Sequence, residues 1–438
     1  MTDLAVTDAP VTDLAVADLT TAEARALAAV DRDGAVDLLL GLLAIPSTNG
    51  SDAEAEIQHV LAAELTHLDL DVDLWPLDVE ALAADPAFPG WEVPRTEAWG
   101  LVGTAGGYAD PPALILQGHV DVVPPGDPRR WRGDPFVPYV SGGSVHGRGA
   151  CDMKAGVVAN IIAVRAIRAA GVELDEGFAL HLVVGEEDGG LGAFGTLRRG
   201  HTGRACIITE PTSGTLTTAN AGALTFRIAV PGAATHASTS YAGTSAIEVF
   251  LPVYAALQEL QTRRNANVEP LMREYPVPYP LSIGTVRAGD WASSVPDLLV
   301  AEGRLGVGID EDPVEARAEL EVTVREASEQ DPWLRKHPVV LTWPGGQFTG
   351  GRFDSASGVG DTVRAAHATV TGTGAPRERG APYGSDLRLY AAAGIPTLHY
   401  GPGDVRLAHG PEESVMIREL IATTETLILT MLRSCLPR

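Results

Sequence analysis

Acidic and imidazole side chains recur just past the ends of short apolar runs. LILQGHVD carries His119 and Asp121, LVVGEED carries Glu186 and Glu187, IITEPTS carries Glu210, and HYGPGDVRLAHGPE carries His409. GRGACDMKAG sets Asp152 immediately ahead of a helical pattern. Imidazole nitrogen and carboxylate oxygen are the ligands of a catalytic zinc, which keeps a position open for water or substrate. A carboxylate two residues from a histidine, as in His119-Val120-Asp121, is placed to orient the imidazole through its second nitrogen. Two adjacent glutamates do not easily reach one ion together. One of Glu186 and Glu187 therefore goes to the metal, and the other is left as a base acting on the bound water. Taken singly these signals are commonplace: an H-x-D is usually a turn, a Glu-Glu pair is usually solvated, and Asp152 alone reads as a helix cap. Their shared context is hard to read as surface decoration.

Strand and helix patterns explain how such distant groups could meet. ALIL (113–116), FALHLVV (178–184), ACII (205–208) and TLHY (397–400) read as buried strands. Met153–Ala170 reads as a helix with Val157, Val158, Ile161, Ile162 and Ile167 on one side and Gly171 at its cap. A helical pattern also runs from Thr21 to the Pro46-Ser47 turn. Another covers Ala53–His67, with Ile57, Val60, Leu61 and Leu65 at helical spacing. Such alternation predicts an α/β fold, a mixed and largely parallel sheet covered by helices. In open sheets of this kind functional groups gather outside the carboxyl ends of the strands.

Between 218 and 345 the pattern changes to strand, helix, strand, strand, helix, strand. This is the βαββαβ order of a ferredoxin-like domain. The first kind of pattern resumes after it, so residues 218–345 read as an insertion into a larger domain made of 20–217 and 346–438. Residues 1–19 nearly repeat themselves (TDLAVTDAP, TDLAVADLT) and read as a mobile extension.

Composition narrows the class. The 438 residues are 45% hydrophobic, ordinary for a folded globular chain, which excludes wholesale disorder. A net charge of −25 repels phosphate backbones, and the short arginine clusters are acid-flanked, so no nucleic-acid partner is expected. No apolar run reaches membrane-spanning length, so no membrane partner is expected either. The acidic start lacks the basic region of a signal peptide, and Cys151, Cys206 and Cys435 form no disulfide pattern. These features predict a cytoplasmic enzyme.

The runs LILQGHVDVVPPGDPRRWRGDPF…GGSVHGRGACDMKAG, VVGEEDGG, ITEPTS, PGAATHAS, GSDLRLY and AHGPEESV together resemble the metal-dependent deacylase family. That family includes acetylornithine deacetylase, succinyl-diaminopimelate desuccinylase, aminoacylase and glutamate carboxypeptidase. The resemblance implies a catalytic domain with two metal ions, interrupted by a smaller lid or dimerisation domain. It implies Asp152 as the carboxylate bridging the ions, His119 and Glu210 completing one site, and Glu187 and His409 the other. Glu186 would be the general base, Asp121 the partner of His119, and His236 a lid histidine that stabilises the oxyanion, often across a dimer. The implied cofactors are two Zn2+, with Co2+ or Mn2+ as substitutes. The implied reaction is hydrolysis of a small N-acyl amine, such as an N-acyl amino acid, by a homodimer formed through the inserted domain. A dipeptidase or carboxypeptidase, or a deformylase of a small heterocyclic amide, is the alternative.

The chain also departs from the family. Where many relatives have a lid Asn and Arg, WASSVPDLLVAEGRLGVG has Ser293 and Gly306, with Arg304 two residues early on the same strand face. Arg388 in GSDLRLY then becomes the leading candidate for a carboxylate clamp, with a structural ion pair as its rival. His146 could line the site, His181 and His399 read as satisfied strand residues, and Cys151 as a packed thiol. The segment 86–100 reads as a loop that shapes substrate choice.

Overall fold

The computed structural model describes residues 19–106 and 111–436; the extension expected over 1–19 lies, apart from Leu19, outside the described residues. The first strands are β1 (Asp71–Pro76), β2 (Trp99–Ala105), β3 (Leu114–His119), β4 (Tyr139–Ser141), β5 (Ser144–His146), β6 (Phe178–Val183), β7 (Cys206–Ile208) and β8 (Leu216–Asn220). They are followed by β9 (Gly222–Pro231), β10 (Leu281–Ala288), β11 (Leu298–Val307), β12 (Val340–Thr342), β13 (Gln347–Phe348), β14 (Gly351–Arg352), β15 (Glu378–Ala381), β16 (Thr397–His399) and β17 (Ser414–Met416).

One nine-stranded sheet has the order β1-β2-β6-β3-β7-β16-β8-β14, with β15 also on β8. Its centre, β6-β3-β7-β16, is parallel, while β1-β2, β2-β6, β16-β8 and β8-β14 are antiparallel. The central strands are buried along their whole length, which is why they read as unbroken apolar runs rather than alternating ones. The helix Ala155–Ala169 lies on β3, with Arg32–Leu43 and Ile417–Cys435 packed against it. Each Val or Ile it buries contributes roughly 1.5–3 kcal/mol relative to exposure.

Three local expectations change. The stretch after Thr21 is two helices, Thr21–Ala28 and Arg32–Leu43, because Asp31 leaves helical geometry and caps the second through the Gly34 N–H. Val60 points to solvent, 44% exposed, while Ile57, Leu61 and Leu65 are buried. The helix expected from Met153 begins at Ala155, and Asp152 makes no capping bond; its backbone (φ −120°, ψ 99°) breaks the turn ahead of the helix.

A second sheet, β10-β11-β9-β12 with β13 also on β9, is antiparallel throughout. With the helices Ala246–Arg264 and Pro313–Gln330 its element order is βαββαβ. Leu224, Phe226, Ile228 and Val230 alternate inward along β9 and join Val253, Leu257 and Leu320 in a separate apolar cluster. The large sheet keeps β8 as far as Asn220, and the chain returns to it at β14. Among the described residues no helix is long and apolar enough to cross a membrane.

Candidate metal centre

Because β6, β3, β7 and β16 run parallel side by side, their carboxyl ends open on one edge of the sheet. His119 is the last residue of β3, Glu186 and Glu187 follow β6, Glu210 follows β7, and His409 lies beyond β16. The helix Ala155–Ala169 brings Asp152 to the same edge. It approaches the exit of β7 so closely that a Cβ on Gly156 would stand 2.1 Å from the Thr209 carbonyl oxygen. Glycine alone fits there.

Asp152 stands between two histidines. Its Oδ1 is 3.1 Å from His119 Nε2, and its Oδ2 is 3.6 Å from His409 Nε2. His119 Nε2 is also 3.9 Å from Glu210, and His409 Nε2 is 3.0 Å from Glu187. His119 with Asp152 and Glu187, and His119 with Glu186 and Glu210, each offer ligand atoms within 4.8 Å of one another. Glu186 differs from Glu187 in one respect: its Oε1 is buried with no hydrogen-bond partner. His119 Nδ1 lies 3.0 Å from the backbone carbonyl of Asp121 and 3.6 Å from its carboxylate. Asp121 Oδ2 also accepts the Glu187 N–H at 3.1 Å, so this residue orients the imidazole mainly through its main chain and braces the glutamate pair with its side chain.

So many acids in one place strain each other. Burial, then the Glu210 charge, push the Glu186 carboxyl well above its usual range; burial and Asp152 push Glu210 well above it too, and raise Glu187. Burial alone would lower His409, but Glu187 and Asp152 outweigh it and hold the imidazole up at about 11. Burial would raise Asp152, but its bonds to His119 and His409 hold it well below the carboxylate range. Carboxylates crowded beyond the positive charge available, with buried Glu186 Oε1 and Asp121 Oδ1 unpartnered, form a donor set that fits divalent cations.

Behind the ligand-type residues lies a charged support that the motifs contain but do not reveal. Glu413 accepts the N–H groups of Gly149 (3.2 Å), Cys151 (2.8 Å) and Asp152 (3.0 Å), together with Arg148 Nη1 at 2.5 Å. Arg148 and Glu413 are each 1% exposed. Arg148 also donates to the His409 carbonyl oxygen at 3.4 Å, tying the Asp152 turn to the His409 loop. The only sequence signal was that both charges sit inside the quoted runs GRGACD and AHGPEESV.

A cavity of about 310 Å³ opens over the site, lined by Asp152, Glu186, Glu187, Glu210 and His409 from one side and by Arg304 and Thr225 from the second sheet. Arg304, two residues early in sequence, does reach it. From the 86–100 segment Glu92 lines the same cavity and accepts the Thr225 hydroxyl at 2.8 Å. That segment is moored by Arg95, which pairs with Glu54 and Asp188 in the interior at 2.8 and 2.7 Å.

Arg388 requires a correction. Its Nη1 and Nη2 donate to the carbonyl oxygens of Ser385 (2.6 Å) and Gly189 (2.7 Å), and its guanidinium stacks on Phe348 at 4.1 Å. It is buried, and is no free clamp for a substrate carboxylate. Nor does His236 reach the cavity within this chain: it is exposed, its Nδ1 2.7 Å from the Ser238 hydroxyl. His146 stacks on Tyr139 away from the cavity. His181 and His399 are buried and bonded to Tyr390 (2.8 Å) and Ser385 (2.9 Å), and the Cys151 thiol packs against the Asp404 carbonyl.

Comparison with known proteins follows the same lines. N-formyl-4-amino-5-aminomethyl-2-methylpyrimidine deformylase of Bacillus subtilis is 29% identical over 406 residues, which is 86% of this chain and 89% of that enzyme. Succinyl-diaminopimelate desuccinylase of Bordetella petrii is 33% identical over 210 residues, 46% of this chain and 52% of that enzyme. Human carnosine dipeptidase 1 has the same fold, with a TM-score of 0.73 at 15% identity, covering 95% of this chain and 99% of that one. Residues 115–433 match Peptidase family M20/M25/M40. Since every strand end that carries a histidine or carboxylate described above falls inside that match, the chain belongs to Peptidase family M20/M25/M40 and is an enzyme of metal-dependent amide hydrolysis.

Proposed function

We propose that the protein hydrolyses the amide bond of a small N-acyl amine, with Glu186 as general base. The observation that carries this reading is Asp152 set between two histidine–glutamate pairs, beside a buried Glu186 oxygen that no protein group engages. His119 and Glu210 would hold one cation, Glu187 and His409 the other, and Asp152 both. Zinc suits this nitrogen-and-oxygen set, with cobalt or manganese as substitutes. When bound, such a pair supplies Lewis acidity and lowers the pKa of water in the cavity. Glu186 takes the proton of the attacking water and returns it to the amine, which then leaves as a neutral species. Three buried, unpaired cysteines suit the reducing cytoplasm.

Among acyl amines, deformylation of a heterocyclic amide is favoured by Glu92. Its carboxylate lies on the cavity wall, where it can pair with the N–H edge of an aminopyrimidine, the ring named for the Bacillus subtilis relative. Zinc-loaded protein should be offered N-formyl aminomethylpyrimidine, N-acetyl and N-succinyl amino acids, and dipeptides. We expect kcat/KM for the small acyl amines to exceed that for dipeptides at least ~10-fold. The reverse order would make the enzyme a peptidase, and turnover of none of them would sink the reading.

A homodimer through the second sheet accounts for His236. The helix Ala246–Arg264 exposes Ile247, Leu251 and Tyr254 at helical spacing, and β10 is an edge strand. A second copy docked there would bring its own His236 to this copy's cavity as an oxyanion donor. Mixing inactive Glu186→Gln with inactive His236→Ala should then restore activity, because each hybrid pair has one complete site. Two variants that stay inert after subunit exchange would rule out a shared site.

A further inference from the structure

With the ligand-type residues and Glu186 set aside, the second sheet supplies Ala223, Thr225, Arg304 and Phe348 to the cavity. Phe348 lies directly opposite Ala223 where β13 pairs with β9, so the two side chains share a face, and Thr225 follows on that face two residues along. Glu92, which accepts the Thr225 hydroxyl, stands at the far end of the same strip. Residues two apart on a strand are separated by roughly 7 Å, a span that a single-ring heterocycle with an exocyclic amine can bridge. Phe348 is half-buried rather than sealed. The Arg388 guanidinium covers one face of its ring, 4.1 Å from the centroid. Backbone hems the ring on either side: a Cβ on Gly346 would stand 2.8 Å from Cε2, and one on Gly384 2.4 Å from Cβ. The face opposite the guanidinium is therefore what Phe348 can offer to the cavity. Since carbonyl groups of Ser385 and Gly189 fix Arg388 in turn, ring and backing are in place before a substrate arrives.

We propose that Phe348 is a specificity-determining residue for the amine half of the substrate, a platform on which a neutral heteroaromatic ring lies flat while Glu92 meets an amino group at its edge. This rests on the amide-hydrolase reading above. A phenyl face prefers an offset, flat π system. With a cation already drawing on its electrons from behind, it holds a second cation poorly, so a neutral ring fits it better than an ammonium group. Glu92 alone would serve an aliphatic amine equally well, and Phe348 alone would accept any flat ring. Together they select a planar ring that carries a hydrogen-bond donor.

The test offers zinc-loaded protein N-formyl benzylamine and N-formyl cyclohexylmethylamine, similar in size and different in flatness, with N-formyl aminomethylpyrimidine alongside. In the wild type kcat/KM should favour the benzyl amide about 5–10-fold, the scale of an aromatic stack beyond its buried area, and the pyrimidine should exceed both. Phe348→Leu should bring the benzyl and cyclohexylmethyl values within about twofold of each other. The loss should fall on KM, because a ring remote from the reacting carbon is bound alike before and during reaction. Phe348→Tyr keeps the face and should keep the preference. A role in packing alone would lower all three amides by one factor and leave their ratios untouched, which would overturn the assignment. A wild type that handles the saturated ring as well as the flat one would overturn it too, and that comparison stands even if Phe348→Leu does not fold. Hydrolysis without any preference for flat rings removes only this proposal. A wild type inert towards every amide defeats the hydrolase reading itself, and this proposal with it.

Discussion

Glu186→Gln should leave the protein folded and metal-loaded, and lower kcat roughly a thousandfold, about 4 kcal/mol of barrier. The amide has nearly the shape of the carboxylate but does not take a proton at neutral pH. No ion pair or hydrogen bond is broken at Oε1, because none is made there. Its neighbour provides the contrast. Glu187 contacts His409 at 3.0 Å, and its backbone N–H is held by Asp121, so Glu187→Gln should lose metal and turnover together. Metal analysis beside steady-state kinetics separates the two outcomes. A Glu186→Gln protein that keeps its turnover, or loses its metal, removes Glu186 from the role of base.

Glu413→Ala should destabilise the fold by about 3–5 kcal/mol, the usual cost of leaving a buried charge without its partner. Arg148 would be left in the interior, and the N–H groups of Gly149, Cys151 and Asp152 would lose their acceptor. The Asp152 turn should loosen with them, so metal affinity should fall as well, although Glu413 is in no ligand-type cluster. Denaturant melts of Glu413→Ala, Arg148→Met and the double variant measure the coupling. The double variant should be less damaged than the sum of the singles, because it leaves no unpaired charge behind. Single variants within about 1 kcal/mol of wild type would mean that the pair carries no such load.

Much of the architecture could be read from local pattern. Runs of apolar residues placed β3, β6, β7 and β16 to within a few positions, and the 3.6-residue period placed Ala53–His67 at its observed limits. The sheet has its parallel centre where strands alternate with helices, since parallel neighbours need a crossover between them. The break at Asp31 escaped because a helix-capping residue within an alanine-rich stretch also fits a continuous helix.

The residues of the site divide in the same way. His119, Asp152, Glu186, Glu187, Glu210 and His409 could be named from type and spacing because each lies at a strand end or helix start, a position set by its own neighbours. Burial and partnership have no such local sign. Arg388 lost the role of clamp to carbonyl groups, one of them 199 residues away, and Glu413 found Arg148 across 265 residues. The amino-acid order thus determined which groups stand at the crevice. Only the packed chain decided which charges are committed, which donors are left without partners, and that His236 faces solvent, because those outcomes depend on contacts closed over long loops rather than on the residues alongside.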